Sequence, residues 1–320
     1  MILLLLSASL GTAAAQPREQ MSRIGYLSPG SSNDPMRAGF LEAFRQGLRE
    51  LGYVEGQNIA VESRYEEKDD RFPALAADLV RSKVDVIVAL SGAATRAVQQ
   101  TTRTIPIVMS LVNDPVGSGL VASLARPGGN VTGTTLMSPD VVGKRLELLK
   151  EVVPKVSRVA VLRNPDNPAA KAMLGEAEAA ARALGLRLQT LEARNPQEID
   201  SAFVAMTTER PGALLILPDG LFLSQRSQIA ELAMKRRLPS IRQSSVFPEA
   251  GGLMSYSANY LDQMRRAATF VDRILKGAKP GNLPVELPTT FELVINLRTA
   301  KAIGLTMPPS LLQRADRIID

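Results

Sequence analysis

The sequence predicts an α/β protein of two doubly wound, Rossmann-like lobes with parallel sheets, joined by a multi-crossing hinge. Three observations predict it. Short, continuously apolar segments alternate with longer amphipathic ones, the pattern of strands buried on both faces between helices. That alternation runs through the chain twice in the same order. A length of 320 residues exceeds what one ordinary core organises, so two domains are expected.

The first half opens at residues 23–29 (RIGYLSP), a short apolar strand stopped by a polar-Pro turn, and the second at residues 158–165 (RVAVLRNP). Each strand leads to a helix, 36–51 and 169–184, and each helix stops at Leu-Gly, where Gly takes the left-handed cap. Second strands follow at 58–65 and 187–193, and second helices at 71–82 and 196–208. Third strands, 84–90 and 213–217, are apolar throughout and end at Ser91-Gly92 and Pro218-Asp219-Gly220. Third helices are expected at 93–102 and 224–237, and fourth strands from Ile105 and Leu238. In the first half the fourth strand runs into Ser110, Asn113, Asp114 and Pro115; a small-residue helix then reaches Arg126-Pro127-Gly128-Gly129-Asn130. Residues 131–133 read as the first crossing to the second lobe. Beyond GLMSYS at 252–257, a helix (260–276), a Pro/Gly loop (279–288), a strand (291–296) and a helix (298–303) return the chain to the first lobe and back. The expected lobes are therefore 22–132 with 257–288, and 133–256 with 289–320.

Composition removes most catalytic chemistry. The chain has no Cys and no His, so a Ser-His-Asp triad, a thiol nucleophile and a His- or Cys-ligated metal site are excluded. No carboxylate pair sits at a spacing that argues acid–base work; residues 66–71 (EEKDDR) read as a solvated loop. The chain is expected to be a binding protein, with no catalytic residue, no cofactor and no metal. The net charge of +6 comes from Lys and Arg dispersed along helix faces, with Lys235-Arg236-Arg237 the only cluster, and aromatic residues are few. Nucleic acid is therefore not an expected partner.

Ile2 to Leu6 is an apolar run too short to span a bilayer, and Ala13-Ala14-Ala15 fits a small-residue cleavage site, though no Lys or Arg precedes the run. Residues 1–15 read as an export leader cleaved near Ala15. With no Cys at the cut, no lipid anchor is expected there, and a cysteine-free chain has nothing to mispair in an oxidising compartment.

In open α/β sheets ligands sit at the carboxyl ends of the strands. The duplication then names the candidates: Ser28 and Ser31 after the first strand; Ser91, Ala93 and Thr95 after the third; Asn113 and Asp114 after the fourth; Asn164, Asp219 and Tyr256 in the second half. Gln243, Ser244, Asn167, Phe222 and Phe247 lie at equivalent turns. The Ser91–Thr95 turn opens a helix whose free N–H groups suit a carboxylate, although Ser91 or Thr95 can equally be a helix cap. Asp219 can pair with a ligand ammonium or simply serve an Asp-Gly turn. Asp114 can instead cap the helix expected after Pro115. Tyr256 and Phe222 can stack on a ligand or pack in the core. Arg163 can clamp a carboxylate or stand in solvent.

Several segments also resemble a known family. They are NDPVG (113–117), LARPGGNVTG (124–133), GKRLELLK (143–150), RVAVLRNPDNP (158–168), GGLMSY (251–256), VDRILKGAKP (271–280), FELVIN (291–296) and LTMPPSL (305–311). Long and in order over nearly the whole chain, they are similar to the substrate-binding proteins of bacterial ABC importers, in the branch for tryptophan- and tyrosine-like ligands. The resemblance implies a type I periplasmic-binding fold whose lobes close by hinge motion on a small molecule. The ligand would be an amino acid or related organic acid, aromatic or branched ones being candidates, delivered to an ABC permease in the inner membrane by a periplasmic monomer. The same fold can instead present ligand to a chemoreceptor or sensor kinase. Where family patterns carry Gly after Met-Ser-Tyr, this chain has Ser257.

Overall fold

The computed structural model describes residues 21–136, 141–167 and 169–320. The leader and its cleavage near Ala15 lie outside the described residues.

The first lobe is a five-stranded, all-parallel sheet. Its strands are β1 (Ser22–Pro29), β2 (Ile59–Glu66), β3 (Val86–Leu90), β4 (Ile107–Val112) and β5 (Val131–Thr135), in the order β2-β1-β3-β4-β5. Helices α1 (Pro35–Glu50), α2 (Phe72–Arg81) and α3 (Gly92–Thr101) make the crossovers. Alternate strand residues face opposite layers. Ile24 and Tyr26 pack with Phe40 and Phe44 of α1, whereas Leu27 packs with Phe72 and Leu79 of α2 and Val98 of α3. All five residues of β3 are buried, as a central parallel strand requires.

The second lobe repeats this plan and extends it. Helix α4 (Val141–Val152) precedes β6 (Arg158–Arg163), α5 (Ala170–Leu184), β7 (Arg187–Glu192), α6 (Pro196–Glu209) and β8 (Ala213–Ile216). Two short helices, α7 (Gly220–Ser224) and α8 (Arg226–Lys235), lead to β9 (Ser240–Arg242), α9 (Val246–Glu249) and β10 (Met254–Ala258). The sheet order β7-β6-β8-β9-β10 is the first lobe's order strand for strand. The sheet continues through β11 (Phe291–Asn296), antiparallel to β10, and β12 (Arg317–Ile319), parallel to β11. Both Leu-Gly stops appear: Gly185 caps α5 at φ 66°, and Gly52 follows α1 at φ 89°.

The duplication extends to a helix exchange. After β5 the chain passes to α4, which packs on α5 and the second sheet; after β10 it passes to α10 (Tyr260–Leu275), which packs on α1 and the first sheet. Residues 280–286 stay with the first lobe, where Val285 N donates to Leu124 O at 2.7 Å and Glu286 N to Gly133 O at 3.0 Å. The chain then returns to β11, followed by α11 (Leu297–Ala302) and α12 (Pro309–Arg314).

Three expectations need correction. The boundaries at 132/133 and 256/257 each cut a strand, because β5 runs to Thr135 and β10 to Ala258; the first crossing follows Leu136. No helix forms after Pro115. Instead Asp114 Oδ1 accepts from Gly117 N at 2.8 Å, and Gly119 turns the chain at φ 70°. Side-chain and glycine turns there replace the helical ladder. The third helix of the second half is also split, into α7 and α8, at Gln225.

Candidate functional site

The carboxyl ends of both sheets face one another across a cavity of about 330 Å³. From the first lobe come Pro29 after β1, Ser91 after β3, Leu111 and Asn113 at the end of β4, and Met36, Arg37 and Phe40 of α1. The second lobe supplies Asn167, the Pro218-Asp219-Gly220 turn, Leu223 of α7 and Arg242-Gln243-Ser244 after β9. Leu136 and Tyr260, beside two of the crossings, complete the wall. The lobes meet directly, as Gln243 Nε2 donates to Asn113 Oδ1 at 3.2 Å.

Backbone strain collects at this wall. Ser91 (φ 133°), Leu111 (φ 58°) and Ser244 (φ 145°) all occupy positive-φ conformations that residues with a Cβ rarely adopt, and all three line the cavity. At Leu111 the register of β4 against β5 shifts, a bulge that turns an otherwise internal side chain toward the cleft. Strained backbone at a pocket is a mark of a site held in a required geometry.

Of the sixteen residues singled out from sequence, Ser91, Asn113, Asn167, Asp219, Gln243 and Ser244 line this cavity. Ser91 is also the N-cap of α3, its Oγ accepting from Ala94 N at 3.2 Å, so the capping role and the cavity position coincide. Asp219 caps α7 through Leu221 N (2.8 Å) and accepts from Asn164 Nδ2 (3.2 Å) and Asn167 Nδ2 (3.0 Å). Asn164 thus stands behind Asp219. Asp114 borders a smaller cavity of about 80 Å³ between α4, α5 and the cleft. Ser28 is fully buried and donates to Pro29 O; Thr95 is buried and donates to Ser91 O at 2.7 Å. Ser31 accepts from Asn33 N in a surface turn, and Ala93 lies within the first turn of α3. Tyr256 faces the second core, stacked on Phe291 with ring centroids 5.5 Å apart. Phe222 and Phe247 are core residues, and Arg163 pairs with Glu192.

Replacing Asp219 with Ala removes a helix cap and leaves the Asn164 and Asn167 amides without this acceptor. The expected cost is about 1–2 kcal/mol in urea unfolding. An unchanged midpoint would show that the turn stands without its carboxylate.

Arg242, Tyr260 and Arg145 were not evident from sequence. Arg242 and Arg145 are only 3% and 2% exposed. Burial lowers both guanidiniums to about 10, against partial relief from the Tyr260 phenol. Burial in turn raises Tyr260, while Arg242, Arg145 and hydrogen bonds with Gln243 and Ser244 pull it down. Tyr260 therefore couples α10 to the end of β9. One signal was present in the sequence: Arg242 directly precedes Gln243 and Ser244 at the end of the fourth strand.

Comparison with known proteins agrees with this architecture. A family model described as ABC transporter substrate binding protein matches residues 30–319. A tyrosine-binding protein of Clostridioides difficile is 28% identical over 284 residues, spanning 88% of this chain and 80% of that protein. Among solved structures, an ABC domain from Streptococcus pneumonia in complex with L-Trp superposes with a TM-score of 0.82 at 27% identity, covering 94% of this chain and 100% of the other. A conserved domain protein from Vibrio cholerae gives 0.81 at 28%, covering 93% and 100%. At 13% identity, a leucine-binding protein from Thermotoga maritima shares the fold alone, with a TM-score of 0.61 and coverage of 80% and 83%.

Proposed function

This chain belongs to the family of ABC transporter substrate-binding proteins, and on that premise we propose that it captures an amino acid or related organic acid between its lobes for an importer. The observation that carries this reading is the cavity walled by strand ends of both lobes and bridged by the Gln243–Asn113 hydrogen bond. Met36, Phe40, Leu90, Leu111, Leu136 and Leu223 give it apolar walls suited to an aromatic or branched side chain, with a few polar groups to orient the head. The relatives named for tyrosine and L-Trp point the same way.

Family members are extracytoplasmic, and among the described residues no helix is long and apolar enough to cross a membrane. The finer reading is a periplasmic monomer, exported by its leader and docking on an inner-membrane permease. Ligand entry requires the Gln243–Asn113 contact to open, with bending around Asn259 and between 286 and 291. In small-angle scattering, saturating ligand is expected to shrink the radius of gyration; an identical profile with and without ligand would rule out closure.

Thermal shift against the common amino acids and their 2-hydroxy acids tests the ligand class. A ligand at 100 times its Kd stabilises the native state by about 2.7 kcal/mol, a rise of several degrees in Tm. No shift with any member would refute the reading.

A further inference from the structure

Arg242 is a buried cation on the cavity wall with most of its hydrogen-bonding capacity unused. It ends β9 and is 3% exposed. Nη2 donates to the backbone oxygen of Asp219 at 3.1 Å, while Nε and Nη1 have no hydrogen-bond partner among the described residues. The neighbouring Asp219 carboxylate attracts it but makes no hydrogen bond to it, because its oxygens are turned to Leu221 N, Asn164 and Asn167. Behind it lies Arg145, which donates to Tyr256 O at 2.8 Å and adds positive charge. From the first lobe Arg37 also lines the cavity; its shielded Nε makes no hydrogen bond among the described residues and lies 4.0 Å from Asp34 Oδ2.

A purely structural arginine does not account for this arrangement. Holding one carbonyl needs one donor, and a neutral side chain could supply it. Burying a guanidinium with unpaired nitrogens costs several kcal/mol unless an anion completes it. An oxyanion in the cavity would do so through short, charge-assisted hydrogen bonds.

We infer that Arg242 is the anion receptor of the cleft, seating the ligand's carboxylate from the second-lobe side and excluding amides, amines and neutral sugars of the same size. This rests on the cleft reading above and adds to it the ligand group that is obligatory and the residue that demands it. The 2-amino group is then secondary, so amino acids and 2-hydroxy acids are both admitted.

Calorimetry on the intact chain tests the inference with aromatic and branched amino acids, their 2-hydroxy acids, their amides and their decarboxylated amines. For each side chain that binds, loss of the carboxylate is expected to weaken binding about 100-fold, whereas exchange of amino for hydroxyl changes it less than about tenfold. Arg242→Met should weaken the acids about 100-fold and leave the amides unchanged, and Arg242→Lys should fall between. The analogue series uses the unaltered protein, so it holds even if Arg242→Met folds poorly. Amides or amines binding within threefold of the acids, or acids binding Arg242→Met at full strength, would overturn the anchor and leave the cleft reading standing. Failure of every compound to bind the unaltered protein would overturn both.

Discussion

Gly133→Val is expected to destabilise the protein by at least about 4 kcal/mol, enough to leave little folded material. Gly133 sits in β5 directly opposite Met109 of β4, at φ 129°. A Cβ there would lie 2.1 Å from Met109 O and 2.8 Å from Met109 N, both backbone atoms of the paired strand. No rotamer relieves that overlap, and the backbone angle itself disfavours a side chain. The damage would spread, since Gly133 O also accepts from Glu286 N and so tethers the returning segment. Soluble yield and urea unfolding measure the effect. A variant with a near-native midpoint would mean that β5 can leave the sheet without harm.

Tyr260→Ala is expected to weaken ligand binding about 100-fold and to cost about 2–4 kcal/mol of stability. Tyr260 opens α10 at the second crossing, meets Phe40 edge-on at 6.0 Å, and reaches Gln243 and Ser244 of the second lobe. Truncation removes an aromatic wall of the cavity and the tie between α10 and β9. Tyr260→Phe keeps the wall and should lose only about tenfold in affinity, the worth of the hydroxyl's hydrogen bonds. Equal affinities for Phe, Ala and the unaltered residue would show that Tyr260 serves packing alone.

The lobes were legible because their strands announce themselves. Val86–Leu90 and Ala213–Ile216 are apolar runs with no alternative to a doubly covered sheet, and Phe291–Asn296 appears with the ends expected from sequence. Strand β5 was hidden by its composition. In Val131–Thr135 (VTGTT), three buried threonines replace aliphatic residues, and each hydroxyl finds a partner: Thr132 with Leu283 O, Thr134 with Ser110, Thr135 with Val112 O. Such pairing is tertiary and leaves no periodic trace, so the segment reads as a polar crossing. Around the candidate cavity, strand-end logic named Ser91, Asn113, Asn167, Asp219, Gln243 and Ser244, since their position follows from topology. It could not find Tyr260, which reaches the cavity from a helix after a crossing. It also passed over Arg242, whose significance lies in the partners it lacks.

One small organic acid is expected to be enclosed by both lobes. A crystal structure of the protein with the tightest-binding carboxylate from the calorimetric series tests it most directly. Density is expected inside the cavity, with the carboxylate on Arg242 and the side chain against Phe40, Leu111 and Leu223. Density on the outer face of a single lobe, or a carboxylate placed away from Arg242, would contradict it.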